Sequence, residues 1–375
     1  MAQAVSVQGQ VEVLPSDEPA WIPLSLNDRL CPGDRLRVKA ASRAGLLLHD
    51  DTLLRLDELT NVTVNAQAED GSFWIELLKG VTHFISRVKG SFNVKTPYVN
   101  ASIEGTEFVV SVGAFSADVV VFEGVVVASN SFGSLELTAN QSGRATRRGE
   151  PLRTTYANPR DAVVWTLYYP PLPEEPDEAY DLAQQAISAI AQNRLDDAVD
   201  LAKQAMAAND QSAAAYMAQS YVDQAHFDIP AALTHSQRAA ELAPENALTQ
   251  ARLAEVWLMN GETRKARSAA RKAVALDPQL SLAHTALGFS SLREVNLDNA
   301  RIAFEKAIQL DSAAPLPRFG LGLVKIRQGD LESGRREIET AVLLDPNSAL
   351  LRSYLGKAYY EEKRSGLAAD QFAMA

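Results

Sequence analysis

The sequence predicts a two-part protein, an all-β N-terminal half followed by an α-helical superhelix of repeats. Three observations lead there. Residues 5 to about 156 alternate in short β-branched runs broken by turn residues. Four prolines then fall between Pro170 and Pro176. Beyond them the composition shifts to Ala, Leu, Gln and Glu, all good helix formers, and the chain repeats every 34 residues.

Within the first half, Val5, Val7, Val11 and Val13 occupy odd positions. Later runs include Leu46-Leu47-Leu48, Val62-Thr63-Val64, Phe108-Val109-Val110 and Val119 to Phe122. Turn residues separate them at Pro32-Gly33-Asp34, Asp50-Asp51, Asp70-Gly71, Lys89-Gly90, Glu123-Gly124 and Phe132-Gly133. Many short strands follow, in an order that fits a β-solenoid or a sandwich equally. This domain is expected to span residues 1–158.

Residues 159–176 are expected to form a proline-rich linker. Pro159 opens it, Trp165, Leu167, Tyr168 and Tyr169 follow, and the prolines favour an extended, semi-rigid chain.

From 177 to 375 the repeat is explicit. Pro244, Pro278, Ser312 and Pro346 lie 34 residues apart, as does Asp210 counting backward. Leu253-Ala254, Leu287-Gly288, Leu321-Gly322 and Leu355-Gly356 recur in one helix of each unit. Small residues recur in the next helix at Ala198, Ala232, Ala266, Ala300, Gly334 and Ala368, and again at Ala205, Ala239, Ala273, Ala307, Ala341 and Ala375. Helices pack closely where neither carries a bulky side chain. The pattern resembles the tetratricopeptide repeat, with five complete units and a sixth that stops in its second helix. A solenoid needs a polar cap over its last apolar face, so the expectation is that the chain continues past Ala375 or that a partner covers that end.

The β half also carries a resemblance. It rests on Val11 with Val13, on Leu30-Cys31-Pro32-Gly33-Asp34-Arg35-Leu36-Arg37 and on Ser42-Arg43-Ala44. It continues through Asp51-Thr52-Leu53-Leu54-Arg55-Leu56, Thr96-Pro97, Glu104 to Val110 and Phe122-Glu123-Gly124-Val125-Val126. These stretches resemble the FecR domain, the periplasmic module of iron-citrate-type signalling proteins. The resemblance implies a bacterial periplasmic or secreted protein. Ala2-Gln3-Ala4 agrees with the small-residue end of a removed secretory signal. FecR-type regulators carry a sigma-factor-binding segment and a membrane helix ahead of the domain, and this sequence shows neither. The role that carries over is binding other envelope proteins.

Charge and chemistry narrow the classes further. The net charge of −11 divides into −4 over residues 1–158, −2 over 159–176 and −5 over 177–375. Without clustered Lys and Arg to neutralise phosphates, nucleic acid is not an expected partner. Arg144, Arg147, Arg148 and Arg153 read as a solvated loop. A single cysteine, Cys31, excludes an internal disulfide and a cysteine zinc site. His49, His83, His226, His235 and His284 fit no metal motif, and His49-Asp50-Asp51 has no nucleophile motif to serve. Gly320-Leu321-Gly322 lacks the third glycine and the preceding strand of a phosphate loop. The sequence therefore predicts no enzyme, no metal, no cofactor and no transmembrane segment.

What remains is the concave face lined by the first helix of each repeat. The tetratricopeptide resemblance maps groove positions onto Met217, Tyr221, Leu258, Phe289, Leu292, Phe319, Leu323, Ile326, Lys357 and Tyr360, with Arg293 and Arg327 at the edge. Large apolar groups on an inward face suit an amphipathic helix or an extended apolar peptide. The expected function is a non-catalytic protein–protein interaction scaffold of the bacterial cell envelope. The alternative is a self-associating structural subunit of a secreted or extracellular assembly.

Overall fold

The computed structural model describes residues 2–40, 42–48, 52–65, 73–86, 92–155, 162–163, 170–174 and 177–375. Two compact units divide the chain at Thr166/Leu167.

The first unit is all-β. Its strands are β1 (Ala2–Gln8), β2 (Val11–Leu14), β3 (Ile22–Pro23), β4 (Arg29–Leu30) and β5 (Arg35–Val38). Then come β6 (Arg43–Leu48), β7 (Leu53–Leu56), β8 (Asn61–Val64), β9 (Phe73–Ile85) and β10 (Phe92–Lys95). The last five are β11 (Asn100–Val112), β12 (Ser116–Asn130), β13 (Gly133–Thr138), β14 (Ser142–Thr146) and β15 (Leu152–Thr154).

All fifteen join one hydrogen-bonded network, mostly antiparallel, with β10 parallel to β9. The long strand β9 belongs to two arms. Its first half pairs β8, which leads to β5 and β2; its second half pairs β7, which leads to β6 and β1. The consecutive strands β1 and β2 therefore sit in different arms. Gly9, with φ of 70°, makes the bend between them. The arms enclose one apolar core that includes Leu36, Leu46, Leu54, Ile75, Phe84, Phe108 and Val121. Phe84 and Phe108 stack at its centre, 4.7 Å between ring centroids. The sequence left solenoid and sandwich open because runs of β-branched residues fix strand content, whereas the sharing of β9 between two arms depends on non-local pairing.

The expected turns at Asp50-Asp51, Asp70-Gly71 and Lys89-Gly90 lie outside the described residues, as do Trp165, Leu167, Tyr168 and Tyr169. Arg144 and Arg153 stand on paired strands rather than in a loop: β14 and β15 form a hairpin, and Arg144 bridges to Asp118 on β12 at 2.6 and 3.3 Å. The described part of the proline segment, 170–174, has neither helix nor strand. Within it Leu172 is 5% exposed and packs among the buried alanines of the helical unit.

That unit holds twelve helices among the described residues. They are α1 (Glu178–Ala191), α2 (Leu195–Ala208), α3 (Ala213–Ala225), α4 (Ile229–Leu242), α5 (Ala247–Met259) and α6 (Thr263–Leu276). They continue as α7 (Ser281–Arg293), α8 (Leu297–Leu310), α9 (Pro315–Arg327), α10 (Leu331–Leu344), α11 (Ala349–Glu361) and α12 (Ser365–Met374). Side-chain caps start many of them: Asp177, Ser212, Asp228, Asn246, Asn296, Asp330 and Ser348 each accept a first-turn backbone N–H. The recurring small residues sit where helices cross. Ala198, Ala232, Ala266 and Ala300 are fully buried, as are Ala205, Ala239, Ala273, Ala307 and Ala341. Ala375 departs from its series and is exposed. No described helix is long and apolar enough to cross a membrane.

Candidate functional site

The expected groove residues fall on α3, α5, α7, α9 and α11, the first helices of successive pairs. Their burial sorts them into two groups. Met217 is fully buried, and Leu258, Leu292 and Phe319 are 8%, 5% and 4% exposed. These four are occupied by packing between helices. Phe289, Leu323, Ile326 and Tyr221 are half-buried, while Lys357 and Tyr360 are exposed.

The structure brings the aromatic members together. Phe289 meets Phe304 edge-on at 4.9 Å and lies 6.1 Å from Phe319, which in turn meets Tyr354 edge-on at 4.9 Å. This ring ladder crosses α7, α9 and α11 and ends at Tyr354, which is 39% exposed; Tyr360, further along α11, is 65% exposed. Tyr354 was not foreseen. Its equivalents one, two and three repeats earlier are Gly320, Ala286 and Arg252, so it carries no 34-residue signal.

At the other end of the array Tyr221 has a different neighbour. The Arg252 guanidinium lies 3.6 Å from its ring centroid. Arg252 is almost fully buried and is held by Ser220 Oγ and O at 3.0 and 2.9 Å, by Gln224 at 2.7 Å and by Glu255 at 3.3 Å. Burial pushes the Glu255 carboxyl above the usual range, and Arg252 opposes that shift. Burial and the Glu255 charge both push the Tyr221 phenol up. The arrangement locks α3 to α5, and its side chains are spent on each other.

Arg293 and Arg327, expected at the groove edge, tie neighbouring first helices together. Arg293 donates to Leu258 O at 3.4 Å and Arg327 to Leu292 O at 2.9 Å, each reaching a C-terminal carbonyl of the preceding first helix. A second network joins α10 to α11. Arg335 pairs with Glu339 at 2.6 Å and Glu362 at 2.9 Å, and the Tyr359 hydroxyl donates to Glu339 at 2.5 Å.

The groups weighed for chemistry are dispersed. His226 contacts Val222 O, His235 pairs with Asp223 at 2.6 Å, and His83 is buried against Glu107 at 3.2 Å. His49 with Asp50 and Asp51 lies outside the described residues. Among the described residues no group of three or more His, Cys, Asp or Glu is placed to hold a metal ion. Gly320-Leu321-Gly322 lies inside α9, away from any strand.

A strand-rich unit ahead of paired helices with recurring small residues at their crossings defines a protein of two modules, a β domain and a helical repeat array. Residues 34–127 match the family model described as FecR protein, and residues 319–375 match the tetratricopeptide repeat model. The chain thus carries a FecR domain followed by tetratricopeptide repeats. No curated protein sequence matches it. Among solved structures it is similar to the Cut9–Hcn1 hetero-tetramer of the APC/C, with 17% identity and a TM-score of 0.46 over 54% of this chain and 41% of that one. A tetratricopeptide-repeat protein of Thermus thermophilus shares 18% identity at a TM-score of 0.43, over 48% of this chain and 99% of its own. A candidate anti-sigma factor from Parabacteroides distasonis shares 19% identity at a TM-score of 0.33, over 36% and 68%.

Proposed function

We propose that the protein is a non-catalytic scaffold of the bacterial cell envelope, periplasmic or secreted, which holds a protein partner on the inner face of its repeats. The observation that carries this reading is the ring ladder from Phe289 to Tyr354, with Lys357 and Tyr360 exposed further along α11. An aromatic surface beside exposed cations (Lys357, with Arg327 at the edge) suits an apolar segment flanked by acidic residues. Phe319, buried between Phe289 and Tyr354, supports the surface from beneath.

The test separates anchors from supports. Cross-linking in the source envelope, with the partner identified by mass, supplies the ligand for a titration. Tyr360→Ala is expected to weaken binding about tenfold, the effect of losing an aromatic anchor, with no change in melting temperature. Lys357→Ala should act more weakly and chiefly at low salt. Unchanged affinity in both variants would place the partner elsewhere on the chain.

A further inference from the structure

The β unit presents a second surface that the groove reading does not use. An open cleft of about 230 Å³ lies where β10 turns into β11 and β12 into β13; its walls include Tyr98, Asn100, Ser129, Phe132, Thr146 and Arg147. The frame of this cleft is fixed. The Tyr98 hydroxyl donates to Ala114 O at 2.5 Å, and Asn130 Nδ2 donates to Gly149 O at 2.8 Å. Asn130 Oδ1 accepts from the Phe132 N–H at 2.9 Å, which holds the turn with the Phe132 ring 57% exposed.

The wall is unspent. The Asn100 amide, the Ser129 and Thr146 hydroxyls and the Arg147 guanidinium make no side-chain hydrogen bond among the described residues, and Arg147 only faces the Tyr98 ring at 6.0 Å. The cleft also opens onto a flat sheet face. Strand register sets Glu76, Lys95, Asn100, Ser129 and Ser134 side by side across β9 to β13. Ile75, Val94, Ala101 and Ala128, one residue away on their strands, are buried at 2% exposure or less, so this row faces outward. Trp74 flanks it, with the Lys95 ammonium 3.8 Å from its ring centroid.

We propose that the cleft and this face bind a glycan chain, one pyranose ring in the cleft against Phe132 and further rings along the row. A sugar offers many neutral donors and acceptors on its edge and polarised C–H groups on its flat side. Amides and hydroxyls in a row answer the first, and the negative face of an aromatic ring answers the second. The one Glu and one Lys of the row cancel, which leaves no field for a polyanion. A cleft of 230 Å³ is smaller than the roughly 300–1,000 Å³ of sites that enclose a whole small molecule, and so fits one unit of a polymer. A protein partner would need an apolar centre, and here Phe132, Val125 and Val127 are exposed singly among polar neighbours.

The experiment is electrophoresis of the full chain through native gels containing hydroxyethyl cellulose, glycol chitin or alginate, which sample neutral, N-acetylated and uronate sugars. Retardation is expected in hydroxyethyl cellulose or glycol chitin, and not in the polyanion alginate. Phe132→Ala should weaken it about tenfold, and Asn100→Ala should weaken it less. Phe115→Ala is the control, an 87% exposed aromatic at the neighbouring β11–β12 hairpin, and should migrate like the native chain. Circular dichroism confirms that each variant is folded; should Phe132→Ala fail that check, Asn100→Ala carries the comparison. No retardation by either neutral polymer, or retardation by alginate alone, overturns the proposal. So does retardation that Phe132→Ala and Asn100→Ala leave intact, or that Phe115→Ala reduces equally.

Discussion

Between the two helices of every pair, one residue adopts the left-handed conformation that closes the turn. The six positions are Asn193, Phe227, Gly261, Val295, Gly329 and Lys363, with φ between 57° and 92°. Glycine and asparagine accept that conformation readily, whereas a β-branched side chain crowds its own backbone there. Val295 therefore stores strain of about 1–3 kcal/mol, and its side chain, 68% exposed, recovers little by burial. A glycine at 295 would relieve the strain and lose about 0.5–1 kcal/mol through the freer unfolded chain. Val295→Gly is thus expected to stabilise the helical unit by about 1 kcal/mol, roughly 2–4 °C in melting temperature. Gly261 and Gly329 show that the turn tolerates glycine, with open space around both. A melting temperature equal to or below that of the native chain would contradict the strain argument.

At the scale of the element, the closest fit in the array is one ring between two helices. Phe304 on α8 is fully buried and faces Gly288 on α7 and Gly320 on α9. A Cβ at these glycines would lie 2.6 and 2.3 Å from the ring. Gly322 on α9 meets Gly334 on α10 differently, since a Cβ at either would lie 2.7 Å from the other's carbonyl oxygen. Gly320→Ala should destabilise the unit by about 1–3 kcal/mol by overpacking, and Phe304→Leu in the same chain should restore part of it, because the two residues share one space. Gly322→Ala should not be rescued by Phe304→Leu, since backbone is its obstacle. Urea denaturation of the four variants checks both statements; equal rescue of both glycines would rule out this packing account. The same contacts explain what the sequence made legible. The 34-residue recurrence of small residues revealed the helix pairs because every crossing needs one. The Phe304 fit was not legible, since its equivalents are Ala270 and Ile338 and the ring carries no 34-residue signal. Gly320-Leu321-Gly322 could be dismissed as a phosphate loop, but its two packing partners appear only in three dimensions. The groove positions were legible as positions; which of them stay exposed was not, because Phe319 is covered by Phe289 and Tyr354 from neighbouring repeats.

For the molecule as a whole, the acidic excess sets how stability responds to pH. The chain carries a net −11 and an isoelectric point near 5.1, so mild acid removes its net charge and with it a barrier to association. Carboxylates beneath that change pull in two directions. Burial pushes Asp57 and Glu255 above the ordinary range; each opposes folding at neutral pH, and that opposition fades as pH falls. Burial acts the same way on Glu337, but Arg318 at 3.0 Å and Lys325 at 2.7 Å outweigh it and hold its carboxyl below the ordinary range. A folded-state value below the unfolded one adds stability that is present above the unfolded value and is lost as pH falls through the folded one. The hydrogen bonds of Asn209 to Asp177 and of Ser333 to Asp330 lower those two helix caps as well. Glu337→Gln should therefore cost roughly 1.5–3 kcal/mol at neutral pH, the worth of hydrogen bonds to charged groups. The gap between variant and native chain should close as pH falls through and below the ordinary carboxylate range, where Glu337 takes up its proton. Urea denaturation of both chains across that range, at a protein concentration low enough to keep them monomeric through the isoelectric point, measures the gap directly. A gap that stays constant with pH would assign the loss to packing of the glutamate side chain rather than to its charge.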